Sequence, residues 1–183
     1  LGVEIEEHEH TVYDLMAEEA GLDECLVKNV QDNLDVLPSD MNLAGAEIEF
    51  QEIENKETLL KRYLDQVRDD YDFILIDCPP SLNILTINAL TAADTVLVPI
   101  QCEYYALEGL NQVLKTVELV RKKLNPQLEL EGVVFTMYDA RTNLSLQVVE
   151  SVKSNLNQTI YKTIIPRNVR LAEAPSHGKS INL

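Results

Sequence analysis

The composition of the chain suits one folded domain and argues against a membrane span and a paired-cysteine metal site. The chain has 183 residues, of which 45% are hydrophobic, enough for a substantial core. No apolar run approaches the ~20 residues of a membrane-spanning helix, so no membrane span is expected. The three cysteines are odd in number and too widely spaced to form a metal-type pair. This usage predicts reduced thiols in a cytosol.

Charge is distributed unevenly along the chain. The formal net charge is −16, which argues against binding to nucleic acid. Residues 1–110 carry 5 Lys or Arg against 25 Asp or Glu, whereas residues 111–183 carry 10 against 6. A basic face in the second part would permit DNA binding. An ordinary solvated surface is the simpler interpretation, and charge alone favours it.

The first 70 residues predict mainly short helices. The acidic segment around His8 and His10 is interpreted as an exposed polar loop rather than a metal site. Apolar residues at helical spacing predict an amphipathic helix over 57–69. The other predicted elements are a helix over 12–19 capped by Thr11 and ended by Gly21, a helical turn over 22–27, a short strand over 33–38, and a helix or ordered loop over 44–50.

The rest of the predicted fold is organised around the stretch that follows. Residues 73–76 are four consecutive apolar residues, which is typical of a strand buried on both faces, and two prolines end the run. Asp77 then lies at the carboxyl end of a predicted strand, the edge where open α/β sheets bind ligands. A carboxylate there commonly holds Mg²⁺ beside a phosphate. An Asp that only caps a loop fits the local pattern equally well.

Helices and strands alternate in the remainder of the chain. Ser81 is the predicted N-cap of the first of these helices. The predicted elements are a helix over 82–93, a strand over 95–100, a helix over 106–124, a strand over 132–137, a helix over 145–156, a strand over 161–165, and a loop-like tail over 167–183. This order predicts an α/β fold, a mostly parallel sheet flanked by helices.

Three long motifs follow one another along the chain. They are Asp-Phe-Ile-Leu-Ile-Asp-Cys-Pro-Pro-Ser at 72–81, Pro-Ile-Gln-Cys-Glu-Tyr-Tyr-Ala-Leu-Glu-Gly at 99–109, and Ile-Pro-Arg-Asn-Val-Arg-Leu-Ala-Glu-Ala-Pro at 165–175. In this order they closely resemble the ParA/Soj family of chromosome- and plasmid-partition ATPases, relatives of MinD and the nitrogenase iron protein. Shorter matches occur at 44–47 and 139–143, so the resemblance covers essentially the whole chain. It implies a P-loop NTPase-like fold of the deviant Walker A class, with 1–183 as a single partial nucleotide-binding domain.

The resemblance also implies an activity and its partners. Members hydrolyse ATP with Mg²⁺, form ATP-dependent homodimers, bind DNA without sequence preference, and are stimulated by a ParB-type partition protein. The implied location is cytoplasmic and nucleoid-associated, with no membrane partner. Asp77 matches the family's Walker B acid, which acts in catalysis and supports the metal. Pro166 and Asn168 match the segment that packs on the adenine, and Met137 and Asp139 fall at the same nucleotide pocket.

Two arginines match positions on the family's DNA-binding face. These are Arg141 and Arg170, with Lys122, Lys123, Lys153 and Lys162 as candidate helpers. The simpler alternative is that the two arginines only pair with nearby acids such as Asp139 and Glu173. The absence of aromatic interleaving predicts phosphate contacts without base readout.

The sequence departs from the family pattern in one respect. The phosphate loop Lys-Gly-Gly-x-Gly-Lys-Thr is not in it, and Gly178-Lys179-Ser180 lacks the upstream glycine and the strand–helix context of such a loop. The chain is therefore expected to be a fragment, incomplete at both ends and inactive as an ATPase by itself. The alternatives are a MinD-like spatial regulator and a non-catalytic DNA- or ParB-binding module. The segments 104–105 and 167–170 favour the partition branch over MinD.

Overall fold

The structure is a computed structural model that describes residues 3–4, 8–79, 81–156 and 159–178. Internal contacts divide the chain into a first unit, residues 1–92 with 173–183, and a second unit, residues 93–172. Each unit has its own sheet and its own hydrophobic core. Within the described ranges, no helix is both long enough and apolar enough to cross a membrane.

The first unit is built mainly from short helices, as predicted. Its α-helices are α1 (Val12–Met16), α2 (Leu22–Cys25), α3 (Ala46–Glu49), α4 (Leu59–Val67) and α5 (Ile84–Ala92), with 3₁₀ turns at Met41–Gly45, Phe50–Glu52, Lys56–Thr58 and Arg68–Asp70. The predicted cap Thr11 is confirmed, since its Oγ1 accepts the Tyr13 N–H at 3.2 Å and Asp14 completes a capping box. The helix ends earlier than predicted because Glu18 adopts a left-handed φ of 63°.

A β-hairpin follows α2. Strand β1 (Val27–Gln31) pairs antiparallel with β2 (Leu34–Val36), and Asn33 in the tight turn has a φ of 60°. The short strand predicted over 33–38 is confirmed, whereas its partner β1 was not predicted. The reason is composition: Val-Lys-Asn-Val-Gln shows neither an apolar run nor strict alternation, so only the pairing reveals it as a strand.

Buried packing in the first unit joins the helices α1, α3 and α4. The core cluster consists of Met16, Ala46, Phe50 and Leu59. A fully buried amide, Asn88 on α5, accepts the Leu60 N–H of α4 at 3.1 Å and donates to the carbonyls of Lys56 at 2.8 Å and Ile84 at 3.0 Å. Asn88 therefore fastens α5 to the start of α4 with a polar contact that the sequence pattern did not indicate.

The predicted strand over 73–76 is wrong for the described chain. Residues 72–79 run outside any sheet, and the side chains of Phe73 and Leu75 are 85% and 91% exposed. An apolar run becomes a buried strand only when neighbouring strands supply hydrogen bonds and cover its faces, and none of the described strands pairs with it. Pro80, part of the predicted stop, lies outside the described residues.

The N-cap predicted at Ser81 is also wrong. Helix α5 begins at Ile84, and the Oδ1 of Asn83 accepts the N–H groups of Leu85 at 3.1 Å and Thr86 at 3.2 Å. Asn83 sits immediately before the helix, so its side chain reaches these first-turn amides. Ser81 contributes only its carbonyl, which accepts the Thr86 hydroxyl at 2.6 Å.

The second unit confirms the predicted α/β pattern. It contains β3 (Thr95–Gln101), α6 (Ala106–Lys123), β4 (Glu129–Tyr138), α7 (Asn143–Asn155) and β5 (Ile160–Pro166), and the short helix α8 (Val169–Glu173) follows. The strands form a parallel sheet in the order β3-β4-β5. The predicted loop-like tail is wrong in its first part, because α8 and a 3₁₀ turn over Ala174–His177 occupy it.

Alternate side chains of the sheet form the core against α6 and α7. The buried members are Val98, Ile100 and Cys102 from β3 and its end, Leu110 from α6, Val133 and Phe135 from β4, and Val148, Val149 and Val152 from α7. Since β4 lies between the other two strands, Val133 and Phe135 are fully buried. This packing fixes the carboxyl ends of the strands, which carry most of the predicted site residues.

Candidate functional site

Asp77 lies on the exposed segment 72–79 of the first unit. No hydrogen bond from another described residue restrains its carboxylate. Asp72, the other acid of the segment, is exposed as well. The strand-end geometry predicted for Asp77 is therefore not found, and its catalytic and metal-supporting role stays a prediction.

The loops that follow β4 and β5 meet at one edge of the parallel sheet. Tyr138 at the end of β4 is paired in register with Pro166 at the end of β5, and the Arg167 N–H donates to the Tyr138 carbonyl at 2.9 Å. The end of β3 joins the same edge, since the Cys102 N–H donates to the Thr136 carbonyl at 3.2 Å. The carboxyl edge of a parallel sheet is the usual ligand-binding edge in α/β folds.

Met137 adopts an unusual backbone conformation at this edge. Its φ is 53°, in the left-handed region, and its side chain is 40% exposed. Between the pairs Phe135–Ile164 and Tyr138–Pro166, β4 advances by three residues while β5 advances by two. The extra residue is a β-bulge, which reorients the chain that follows it. Backbone strain of this kind occurs preferentially at functional sites.

Asp139 and Arg141 form a tight turn directly after the bulge. The guanidinium donates from Nε to Oδ1 of Asp139 at 2.9 Å and from Nη2 to Oδ2 at 2.7 Å, and the Arg141 N–H donates to Oδ1 at 3.0 Å. These hydrogen bonds hold the pKa of Asp139 well below its usual range, and those from the Arg141 side chain have the largest effect. The same side-chain hydrogen bonds raise the pKa of Arg141. Arg141 therefore pairs with Asp139 in the structure, and its place on a DNA-binding face stays a prediction.

The same turn starts helix α7. The Thr142 N–H donates to the Asp139 carbonyl at 3.1 Å, and Oγ1 of Thr142 accepts the Ser145 N–H at 3.4 Å as the N-cap. The Asp139 N–H in turn faces Oγ of Ser145 at 3.4 Å. Helix α7 consequently begins at Asn143, two residues before the predicted start, and it anchors the loop that carries Asp139 and Arg141.

Asn168 follows β5, and Arg170 lies in the short helix α8. Oδ1 of Asn168 accepts the Arg170 N–H at 2.8 Å and so caps α8, which leaves the NH₂ group of the same side chain to act as a donor. Pro166, Asn168 and Arg170 are all exposed. Among the described residues no carboxylate forms an ion pair with the Arg170 guanidinium, so the alternative of a Glu173 partner is not seen in that part of the chain.

The structure therefore brings six of the seven predicted site residues to one sheet edge. These are Met137 and Pro166 in the last residues of β4 and β5, Asp139 and Arg141 in the turn after β4, and Asn168 and Arg170 in the segment after β5. Asp77 belongs to the other unit. The left-handed bulge at Met137 and the caps at Thr142 and Asn168 were not predicted from the sequence. The Thr-x-x-Ser spacing and an Asn two residues after a strand-ending proline were the available signals for the two caps.

The residues at this edge of the sheet suit the base of a nucleotide better than they suit a metal ion. An edge with an exposed methionine, a proline, an amide donor and a carboxylate offers the apolar surface and the few polar groups that a base requires. Mg²⁺ is commonly bound by one carboxylate together with waters and phosphates, and the exposed Asp77 of the first unit stays a predicted ligand of this kind. In the described part of the chain, no group of three or more His, Cys, Asp or Glu side chains is arranged to hold a metal ion.

Comparison with known proteins agrees with this architecture. The profile of the AAA domain family matches residues 1–130. The chain is 56% identical over 183 residues to the sporulation initiation inhibitor protein Soj of Bacillus subtilis, covering all of this chain and 72% of that protein. It is 48% identical over 185 residues to the chromosome partitioning protein ParA of Caulobacter vibrioides, covering all of this chain and 69% of that protein.

Solved structures share the fold. Cobyrinic acid a,c-diamide synthase from Mycobacterium smegmatis, determined with bound ADP and magnesium, superimposes with a TM-score of 0.84 at 33% identity, covering 98% of this chain and 78% of that chain. A plasmid partition protein from Borrelia burgdorferi gives a TM-score of 0.75 at 28% identity, covering 91% of this chain and 67% of that chain.

The parallel sheet flanked by helices and these neighbours define the fold as that of the P-loop NTPase-like ATPases, as predicted. Within this class, the chain belongs to the ParA/Soj family of chromosome-partitioning ATPases. The resemblance found in the sequence motifs is thereby confirmed.

Proposed function

We propose that the full-length protein hydrolyses ATP with Mg²⁺ to drive chromosome or plasmid partition. The observation that supports this best is the convergence of the loops after β4 and β5, joined by the 2.9 Å hydrogen bond from Arg167 to Tyr138. In this proposal Met137, Asp139, Pro166 and Asn168 border the nucleotide. Residues 1–183 then belong to one nucleotide-binding domain.

Each of these residues has a role in the proposed site. The exposed face of Met137 and the ring of Pro166 offer apolar contact to a base, and the amide group of Asn168 donates to a ring nitrogen or a hydroxyl. Asp77 would be the Walker B carboxylate that holds the metal near the transferring phosphoryl group. When bound, Mg²⁺ supplies electrostatic stabilisation of that group.

DNA binding is the second part of the proposal. The second unit carries nine Lys or Arg against eight Asp or Glu, while the whole chain has a net charge of −16. Basic residues in this unit can therefore meet phosphates where the rest of the chain would repel them, because screening limits distant charges to about 10 Å. Arg141 and Arg170 are the proposed centre. Contact with phosphates alone predicts binding without sequence preference.

The proposal also includes partners and location. An acidic protein with a small basic face binds DNA tightly when two such faces act together, which favours an ATP-dependent homodimer. A ParB-type partition protein is the proposed stimulator of hydrolysis, acting in the cytoplasm at the nucleoid. No membrane partner is proposed.

The catalytic part is tested with Asp77→Asn in the full-length protein. The ATP turnover rate should fall about 100-fold, equivalent to about 3 kcal/mol of transition-state stabilisation. The urea midpoint should change little because substitutions of exposed side chains have small effects on stability. Asp72→Asn, an exposed acid of the same segment, is the matched control and should keep the parental rate. Parental turnover in Asp77→Asn would remove Asp77 from the site.

The DNA part is tested with Arg170→Ala in the ATP-bound full-length protein. Removing one phosphate-binding side chain should weaken binding to all duplex sequences alike and reduce the salt slope by about one unit per protomer that engages the DNA. Lys115→Ala, on α6, is a control of equal charge change. If the two substitutions have equal effects, Arg170 contributes only through the overall charge of the protein, and the DNA-binding face lies elsewhere.

A further inference from the structure

The ion pair between Asp139 and Arg141 joins a residue proposed for nucleotide contact to one proposed for DNA contact. Both guanidinium hydrogen bonds, at 2.9 and 2.7 Å, go to the two oxygens of one carboxylate. Such a two-point fork is the strongest arrangement of this pair, and it is also the arrangement in which arginine binds a phosphate. A phosphate and Asp139 thus compete for the same guanidinium.

The two partners differ in how firmly the chain holds them. The Asp139 side chain is only 22% exposed, its Oδ1 also accepts the Arg141 N–H, and its carbonyl accepts the N–H and hydroxyl of Thr142. The Arg141 side chain is 87% exposed, and its guanidinium hydrogen bonds within the described part of the chain go to Asp139. The carboxylate is therefore the fixed partner, and the guanidinium can reorient without disturbing the turn.

The pair has consequences for the surface charge. An arginine with its carboxylate at hydrogen-bonding distance attracts a nearby phosphate less strongly than an unpaired arginine does, because repulsion by the carboxylate offsets part of the attraction. Arg170, in α8, has no such partner among the described residues. The two arginines matched to the DNA face are thus electrostatically unequal.

We propose that Asp139 masks Arg141 and limits its contribution to DNA binding. The inference rests on the proposed DNA-binding function and deepens it, since it assigns Asp139 as a positioning residue that sets how much of the Arg141 charge reaches a phosphate. Removing the carboxylate charge should strengthen DNA binding, which is the opposite of what loss of a structural ion pair would do.

The test uses Asp139→Asn in the full-length protein with saturating ATP and a short duplex of arbitrary sequence, over a salt titration. Asparagine keeps an Oδ1 acceptor for the Arg141 N–H and so preserves the turn, while it removes the charge that holds the guanidinium. One additional phosphate contact should steepen the salt slope by about 0.9 unit and raise the affinity about eightfold for each protomer at 0.1 M salt.

Two further variants isolate the cause. Glu150→Gln removes an exposed acid from α7 in the same unit and should leave affinity and slope near the parental values. The double variant Asp139→Asn with Arg141→Ala should bind DNA no more tightly than Arg141→Ala alone, because the charge to be released is absent.

The possible results separate this inference from the function on which it rests. An affinity increase in Asp139→Asn that disappears in the double variant supports masking. An increase that persists without Arg141, an increase equal to that of Glu150→Gln, or a loss of DNA binding would overturn it. If the parental protein and every variant fail to bind DNA with ATP, the proposed DNA-binding function itself falls, and the masking role falls with it.

Discussion

Asn88 is expected to be the most sensitive polar residue in the first unit. Its side chain is fully buried and makes three hydrogen bonds, one accepted from Leu60 and two donated to Lys56 and Ile84. The perturbation is Asn88→Ala, which deletes all three and leaves the Leu60 N–H, in the first turn of α4, without its side-chain acceptor. The network ties α5 to α4, so its loss should weaken both helices.

The magnitude follows from these hydrogen bonds. Three hydrogen bonds at about 1 kcal/mol net each, with roughly 1–3 kcal/mol for a buried donor left unsatisfied, give a loss of about 4–6 kcal/mol in the free energy of unfolding. With an m-value of about 2 kcal/mol/M, the urea midpoint should fall by about 2–3 M. A loss of this size is a large part of the stability of an ordinary domain.

The measurement is urea unfolding followed by far-UV circular dichroism, with Thr91→Val as the control. Thr91 is 1% exposed on the same helix, and its hydroxyl donates only to the Ile87 carbonyl one turn back, at 2.7 Å. Valine keeps the shape and removes that single local bond, so its loss should stay near 1 kcal/mol. If Asn88→Ala shifts the midpoint no more than Thr91→Val does, the interhelical network does not stabilise the unit.

Two further outcomes follow from the structure. Gly132→Ala should destabilise the second unit by about 1–3 kcal/mol, because the new Cβ would lie 2.9 Å from the Tyr161 ring. The control Gly109→Ala has open space around its new Cβ and should be neutral or stabilising by up to about 1 kcal/mol. Urea midpoints check both variants, and equal shifts would contradict the packing at Gly132. The hydrogen bond from the Tyr71 hydroxyl to Asp35, at 2.7 Å, raises the pKa of Tyr71 to about 12. The stabilisation from this hydrogen bond should be complete below pH 10 and disappear as the pH rises towards 12. An absorbance titration in which Tyr71→Phe removes no high-pKa tyrosine would refute this assignment.

Family membership and the alternation of the second unit could be predicted from the sequence. The strands over 95–166 are apolar runs and the helices between them carry apolar residues at helical spacing, so each element is specified by its own side chains. Parallel pairing then follows from topology because short helical crossovers return each strand in the same direction. The location of the predicted residues after β4 and β5 at one edge is a direct consequence.

Other features depended on contacts between distant parts of the chain, and only the tertiary structure decided them. Residues 73–76 have the composition of a buried strand, yet a strand exists only where another backbone pairs with it, and composition does not reveal that pairing. Strand β1, polar in sequence, exists because β2 pairs with it. The left-handed Met137 lies where the register between β4 and β5 shifts, and only the paired strands show that shift. The fork between Arg141 and Asp139 depends on the turn that brings the guanidinium back to the carboxylate, so the sequence could offer that ion pair only as one of two alternatives.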